Sequence, residues 1–180
     1  MTFFEKTIWK KSGVFVVLAM CSGLVHAQTP PQPGDNILDP ESDKFIGEWR
    51  WVNGQDTVEI TLKKENIADP FGVGYRFDVL IGFHRYKKGN TVIESSYAHI
   101  ATDFDDKKWT LLGGSDNDDA MVFSGRLKDI SKNKSGNLRM VLNADRTQLT
   151  WELSNSEGVR IGDYDLGFTL PKQLTLHKAD

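Results

Sequence analysis

From Lys44 to the C-terminus the apolar residues fall at every second position in short runs, and turn-forming residues break the runs apart. Period two places successive side chains on opposite faces, so such a chain folds as antiparallel strands with one face on a core. Phe45, Gly47, Trp49 and Trp51 share one face of the first run. Asn53-Gly54 follows at once, the strongest short hairpin signal, because both turn positions take positive φ. Val58, Ile60 and Leu62 mark the returning strand. After Asp69-Pro70-Phe71-Gly72, a third strand is expected to carry Tyr75, Phe77, Val79, Ile81 and Phe83 toward the core. Lys88-Gly89-Asn90 turns it into a fourth, Thr91 to Ile100. Residues 101–120 read as an acidic loop. The remaining strands are marked by Met121, Phe123, Gly125 and Leu127, by Leu138, Met140 and Leu142, by Leu149, Trp151 and Leu153, and by Leu174 to Lys178. About eight strands joined in order by hairpins predict an all-β fold, a single antiparallel up-and-down barrel that leaves no open edge. A two-sheet β-sandwich is the competing arrangement.

The chain before Lys44 is of another kind. Lys6, Lys10 and Lys11 precede an apolar run from Val14 to Val25, and Val25-His26-Ala27 fits a small-x-small cleavage site. A signal peptide is therefore expected over residues 1–27, since an apolar run of about 12 residues is shorter than the roughly 20 that span a bilayer. Met20 in front of Cys21 speaks against lipid attachment there, because that position normally holds a small residue. Cleavage leaves 19 basic against 24 acidic residues, a net charge of −5, and no cysteine. An exported chain of that composition has no disulfide, no thiolate metal site and no cysteine nucleophile, and its charge argues against nucleic acid as a partner. Residues 28–43 hold four of the six prolines and read as an extended linker, leaving 44–180 as the barrel domain.

Gly47-Glu48-Trp49 opens the first strand with a glycine that lets the chain bend and an aromatic able to plug one barrel end. This resembles the Gly-x-Trp opening of the calycin superfamily, the lipocalins and fatty-acid-binding proteins. The resemblance implies a lipocalin-like barrel with a basic residue from a late strand, Lys178 or Lys172, over the tryptophan. A wider resemblance rests on Asn36-Ile37-Leu38-Asp39, Lys44 to Trp49, Ile60 to Lys64, Asp78 to Gly82 and Leu170 to Leu176, with Pro40-Glu41-Ser42 as an insertion-like gap. These segments are similar to a family of uncharacterised secreted domains of Bacteroidota. That likeness implies export to the periplasm or beyond, and supplies no catalytic residue or ligand.

Chemistry-bearing residues are sparse. His84, His99 and His177 show no metal-ligand spacing, and alternation puts His84 opposite Phe83, so all three are expected as solvated surface residues. No serine has a Gly-x-Ser-x-Gly frame. Asp103, Asp105, Asp106, Asp116, Asp118 and Asp119 bracket Trp109 and Gly113-Gly114 but lack the glycine and distal glutamate of a calcium loop; a solvated loop is expected. Neither a cofactor, a metal nor a catalytic residue is expected. Trp49, Trp51, Tyr75, Phe77, Phe83, Phe123 and Trp151 share the expected inner faces, and an eight-stranded barrel either fills that face or leaves room for one small ligand. The expected function is a non-enzymatic module that binds a small apolar molecule through these seven residues. The alternative is an envelope interaction protein with a packed barrel, contacting a partner protein or glycan through its loops.

Overall fold

Ten strands, β1 (Asn36–Ile37), β2 (Gly47–Asn53), β3 (Asp56–Ala68), β4 (Arg76–Lys88), β5 (Thr91–Ser95), β6 (Leu111–Ser115), β7 (Val122–Asp129), β8 (Lys134–Leu142), β9 (Gln148–Asn155) and β10 (Gln173–Lys178), account for more than half of the described residues. The computed structural model describes residues 30–156 and 165–179. The expected signal peptide, with Cys21, lies outside them. Eight strands form a closed antiparallel circuit, β2-β3-β4-β6-β7-β8-β9-β10 and back to β2. The first and last strands meet through Arg50↔His177 and Trp49↔Lys178, which is the closure that the hairpin series predicted.

Strand β2 begins on a glycine for a physical reason: Gly47 has φ 124°, a region L side chains avoid. Two residues on, the Trp49 ring is buried and its indole N–H donates to the Phe45 carbonyl oxygen at 2.9 Å. Lys178, not Lys172, lies over that ring, 5.3 Å from its centre. Inside the barrel Trp49, Ile60, Leu62, Leu80, Leu111, Phe123, Met140, Trp151 and Leu176 pack into one cluster with almost no exposure. The lumen is therefore filled by side chains, as an eight-stranded barrel allows.

Three local expectations are corrected. Strand β4 presents its faces the other way round. Directly opposed residues on neighbouring antiparallel strands point to the same side. Leu62↔Gly82 and Ile60↔His84 therefore turn Leu80, Gly82 and His84 inward, and Phe77, Val79, Ile81 and Phe83 face out. A second layer covers that outer face: 3₁₀ turns Tyr97–His99 and Phe104–Asp106, with Trp109, pack on Ile81 and Phe83. With both faces buried, alternation shows that two faces exist and not which of them looks inward.

The expected fourth strand is shorter, ends at Ser95 and lies off the barrel, paired among the described residues with β4 alone. The true fourth barrel strand is β6, inside the stretch read as an acidic loop. Leu-Leu-Gly-Gly-Ser does not alternate and is flanked by aspartates, so it carries no strand signal. Gly113 faces Gly125 across β6 and β7, and the Phe123 ring lies over the pair. A Cβ on Gly113 would come within 2.6 Å of that ring and closer still to the Ser124 carbonyl oxygen. The proline-rich segment is likewise more than a linker: from Asn36 it contributes β1, parallel to β4, and a 3₁₀ turn, Pro40–Phe45. One edge of β4 thus serves three strands in series, β1 at 76–77, β6 at 80–82 and β5 at 85–88.

Candidate functional site

A groove of about 410 Å³ runs along the outside of the barrel over the β4–β6 junction. Ile67 of β3, Val79 of β4 and Leu112 of β6 form its apolar floor, continued by Gly113 and Gly114. Phe77, Pro70 and Phe104 wall it, and Asp39, Asp78 and Ser115 close one end. The strands supply the floor because their outward residues are apolar here. The turn Phe104–Asp106 is held over them by the Phe104 backbone N–H, which donates to Glu65 Oε2 at 2.8 Å. Phe104 in turn stacks on Trp109, rings 5.6 Å apart and inclined by 13°, and the Trp109 indole N–H donates to the Phe104 carbonyl oxygen at 3.0 Å.

The polar end is a set of groups that satisfy one another. Asp39 accepts from Ser42 N at 3.1 Å, from Ser115 N at 3.2 Å and from Ser115 Oγ at 2.8 Å, and Ser42 Oγ also donates to it. Its own backbone N–H donates to Asp78 Oδ2 at 3.0 Å, while Asn66 Nδ2 donates to Asp78 Oδ1 at 2.9 Å and Lys64 pairs with Asp78 and Asp43. Burial alone raises the Asp39 carboxyl. The Ser42 and Ser115 hydrogen bonds outweigh it and leave Asp39 below its usual value. Asp78 is held low in the same way, desolvation being overcome by Asn66, the Asp39 N–H and Lys64. With their oxygens occupied, the two carboxylates fix the wall of the groove and its lining offers a bound molecule mainly apolar contact.

A second cluster has the composition of a nucleophilic relay. Thr110 Oγ1 lies 2.8 Å from His84 Nδ1, and His84 Nε2 lies 2.9 Å from Glu94 Oε1. Ser96 Oγ is 2.9 Å from Thr110 Oγ1 and accepts from His84 N, and Ser131 N donates to Glu94 Oε2. His84 is 0% exposed, which corrects its expected place on the surface, and Glu94, Ser96 and Thr110 are buried with it. Each group is spent on its neighbours, so the cluster ties β4, β5 and β6 together at one barrel end. Its sequence signal was the hairpin itself: pairing across Lys88-Gly89-Asn90 sets Ser96 opposite His84 and Glu94 opposite Tyr86. Of the other two histidines, His99 is half-buried and His177 exposed. Among the described residues, no group of three or more His, Cys, Asp or Glu is placed to hold a metal ion.

The seven aromatic candidates separate. Trp49, Phe123 and Trp151 fill the lumen, where the Trp151 indole N–H has no acceptor among the described residues. Trp51 is half-buried against the edge of that cluster. Phe83 is buried in the outer layer, and Tyr75 stands beside Phe77, ring centres 5.9 Å apart. Phe77 alone of the seven lines the groove. The profile of a family of unknown function, DUF6705, matches residues 9–179. The chain belongs to DUF6705. Several segments on which its likeness to uncharacterised domains rested meet at the groove, since Asp39, Lys64 and Asp78 make the polar end of this DUF6705 barrel. No curated protein and no solved structure matches the chain. No helix among the described residues is long and apolar enough to cross a membrane.

Proposed function

We propose that this DUF6705 chain is an exported, non-enzymatic binding module that holds a small apolar molecule in the groove on the outside of its barrel. The observation that carries the reading is the groove lining: Ile67, Phe77, Val79, Phe104 and Leu112 around a space of about 410 Å³, within the range of small-molecule sites. The filled lumen moves the expected ligand from the inside of the barrel to this outer face. The Gly47-x-Trp49 opening with Lys178 over the ring supports kinship with calycin barrels, and the basic, apolar and small-residue pattern of residues 1–27 supports export. The enclosure of His84 and its partners favours binding over catalysis.

Native mass spectrometry of residues 28–180 purified from the producing cell's envelope, compared with the same sample denatured, tests this. The expected result is an excess mass that is lost on denaturation. In Ile67→Phe, which narrows the groove floor, that mass is expected to fall away while the near-UV spectrum of the barrel stays as in the parent. Identical masses, together with no saturable quenching of tryptophan fluorescence by apolar probes, overturn the reading. They would favour partner docking through the β3–β4 loop, where Phe71 stands 87% exposed beside the groove wall residue Pro70.

A further inference from the structure

Next to the groove lies a second pocket of about 350 Å³ over β6 and β7. Trp109 and Leu112 give it an apolar side, Lys107, Arg126 and Lys128 a cationic one, and Ser135 a hydroxyl. Arg126 and Lys128 project outward on either side of the buried Leu127, and their ladder partners are Leu112 and Ser135. Among the described residues no carboxylate lines the pocket. None of the three cations enters an ion pair among the described residues, although Lys44, Arg50, Lys63, Lys64, Arg85, Lys87 and Lys132 all do. Among the described residues, the Arg126 guanidinium donates to Ser156 Oγ at 3.4 Å. In a chain of net negative charge, three cations that face no carboxylate among the described residues and gather around one concavity are set for an anion.

The two spaces share a wall. Leu112 lines both, Phe104 faces the groove and Trp109, stacked on Phe104, faces the pocket. We propose that the pocket receives the anionic head group, a carboxylate, sulfate or phosphate, of an amphiphile whose apolar body lies in the groove. This rests on the groove reading above and adds the class of ligand to it. Guanidinium and ammonium donors make charge-assisted hydrogen bonds to such oxyanions, and the partly exposed site makes them sensitive to salt.

Calorimetric titration of residues 28–180 with decanoate and with decanol separates head from body. Decanoate is expected to bind roughly tenfold or more tighter at low ionic strength, an advantage that shrinks as salt rises. The combined variant Lys107→Gln, Arg126→Gln, Lys128→Gln changes only exposed side chains. It is expected to remove the preference for decanoate and to leave decanol binding as it was. Equal affinities in the parent protein overturn the head-group pocket while leaving the groove reading intact. A preference that survives the triple variant places the anion elsewhere and also overturns it. Binding of neither probe overturns the groove reading itself.

Discussion

Gly113 and Gly114 are neighbours in β6 and face opposite environments. A Cβ on Gly113 would meet the Phe123 ring at 2.6 Å and the Gly125 Cα at 2.8 Å, with backbone on the far side unable to move. A Cβ on Gly114 finds its nearest atom, Asp39 Oδ2, at 3.5 Å, an ordinary contact. Gly113→Ala is therefore expected to cost about 2–4 kcal/mol by forcing apart β6 and β7. Gly114→Ala is expected to change stability by no more than about 0.5–1 kcal/mol, since the added methyl fits and stiffens the unfolded chain. Urea midpoints of the two variants decide it, and equal shifts would show that β6 does not approach β7 as closely as described. In the sequence the two glycines are indistinguishable. Only the facing strand β7, with its Phe123 ring and Gly125 backbone, tells them apart.

At the level of elements, the segment from β1 through the 3₁₀ turn Pro40–Phe45 is fastened to the barrel by carboxylates as well as by the β1–β4 pairing and the buried Phe45. Asp39 and Asp78 both sit below their ordinary value of 3.8 in the folded chain, net of a burial effect that pushes the other way. A depressed folded value means that the unfolded chain takes up protons first, so the stabilisation is complete above the ordinary value and is lost as pH falls through the folded one. Glu94, lowered from 4.5 by His84 and Ser131 against its own desolvation, follows the same sign at the other barrel end. Protection factors of the Ser42 and Ser115 amides, taken against the intrinsic exchange rate at each pH, are thus expected to fall below about pH 4, before the amides of β8 and β9 lose protection. Unchanged protection at those two amides in acid would refute the fastening. Asp39→Ala is expected to cost about 1–3 kcal/mol by leaving the hydroxyls of buried Ser42 and of Ser115 without their acceptor. How much of this was legible follows from the same physics. β2, β3 and β7 to β10 alternate cleanly because one face is wet, and the sequence pattern found them. β4 is covered on both faces, so its sides were exchanged and His84 was read as exposed. The groove was invisible because its parts come from five separate segments, each with an ordinary local pattern.

For the whole molecule the decisive contacts are the most distant in sequence. β10 closes the barrel on β2 and brings Leu174 and Leu176 into the core. Without it β2 and β9 become open edges and the core loses two buried leucines. A chain ending at Lys172 is expected to lack a cooperative thermal transition, to bind a hydrophobic dye and to associate into larger species on gel filtration. A monomeric, cooperatively melting truncated chain would disprove the role of that closure. The other junction is shorter than it looks. β3 and β4 are joined by thirteen opposed pairs, β4 and β6 by three, Leu80↔Gly113, Ile81↔Leu112 and Gly82↔Leu111. That makes the β4–β6 line, with the two-pair β2–β10 closure, one of the two short joints at which the cylinder opens with little loss of hydrogen bonding. The groove straddles the β4–β6 joint, with Phe77 and Val79 on one bank and Leu112 to Ser115 on the other. A molecule lying across both banks is a splint: it fits only the shut cylinder, and occupancy raises resistance to unfolding with the logarithm of its concentration.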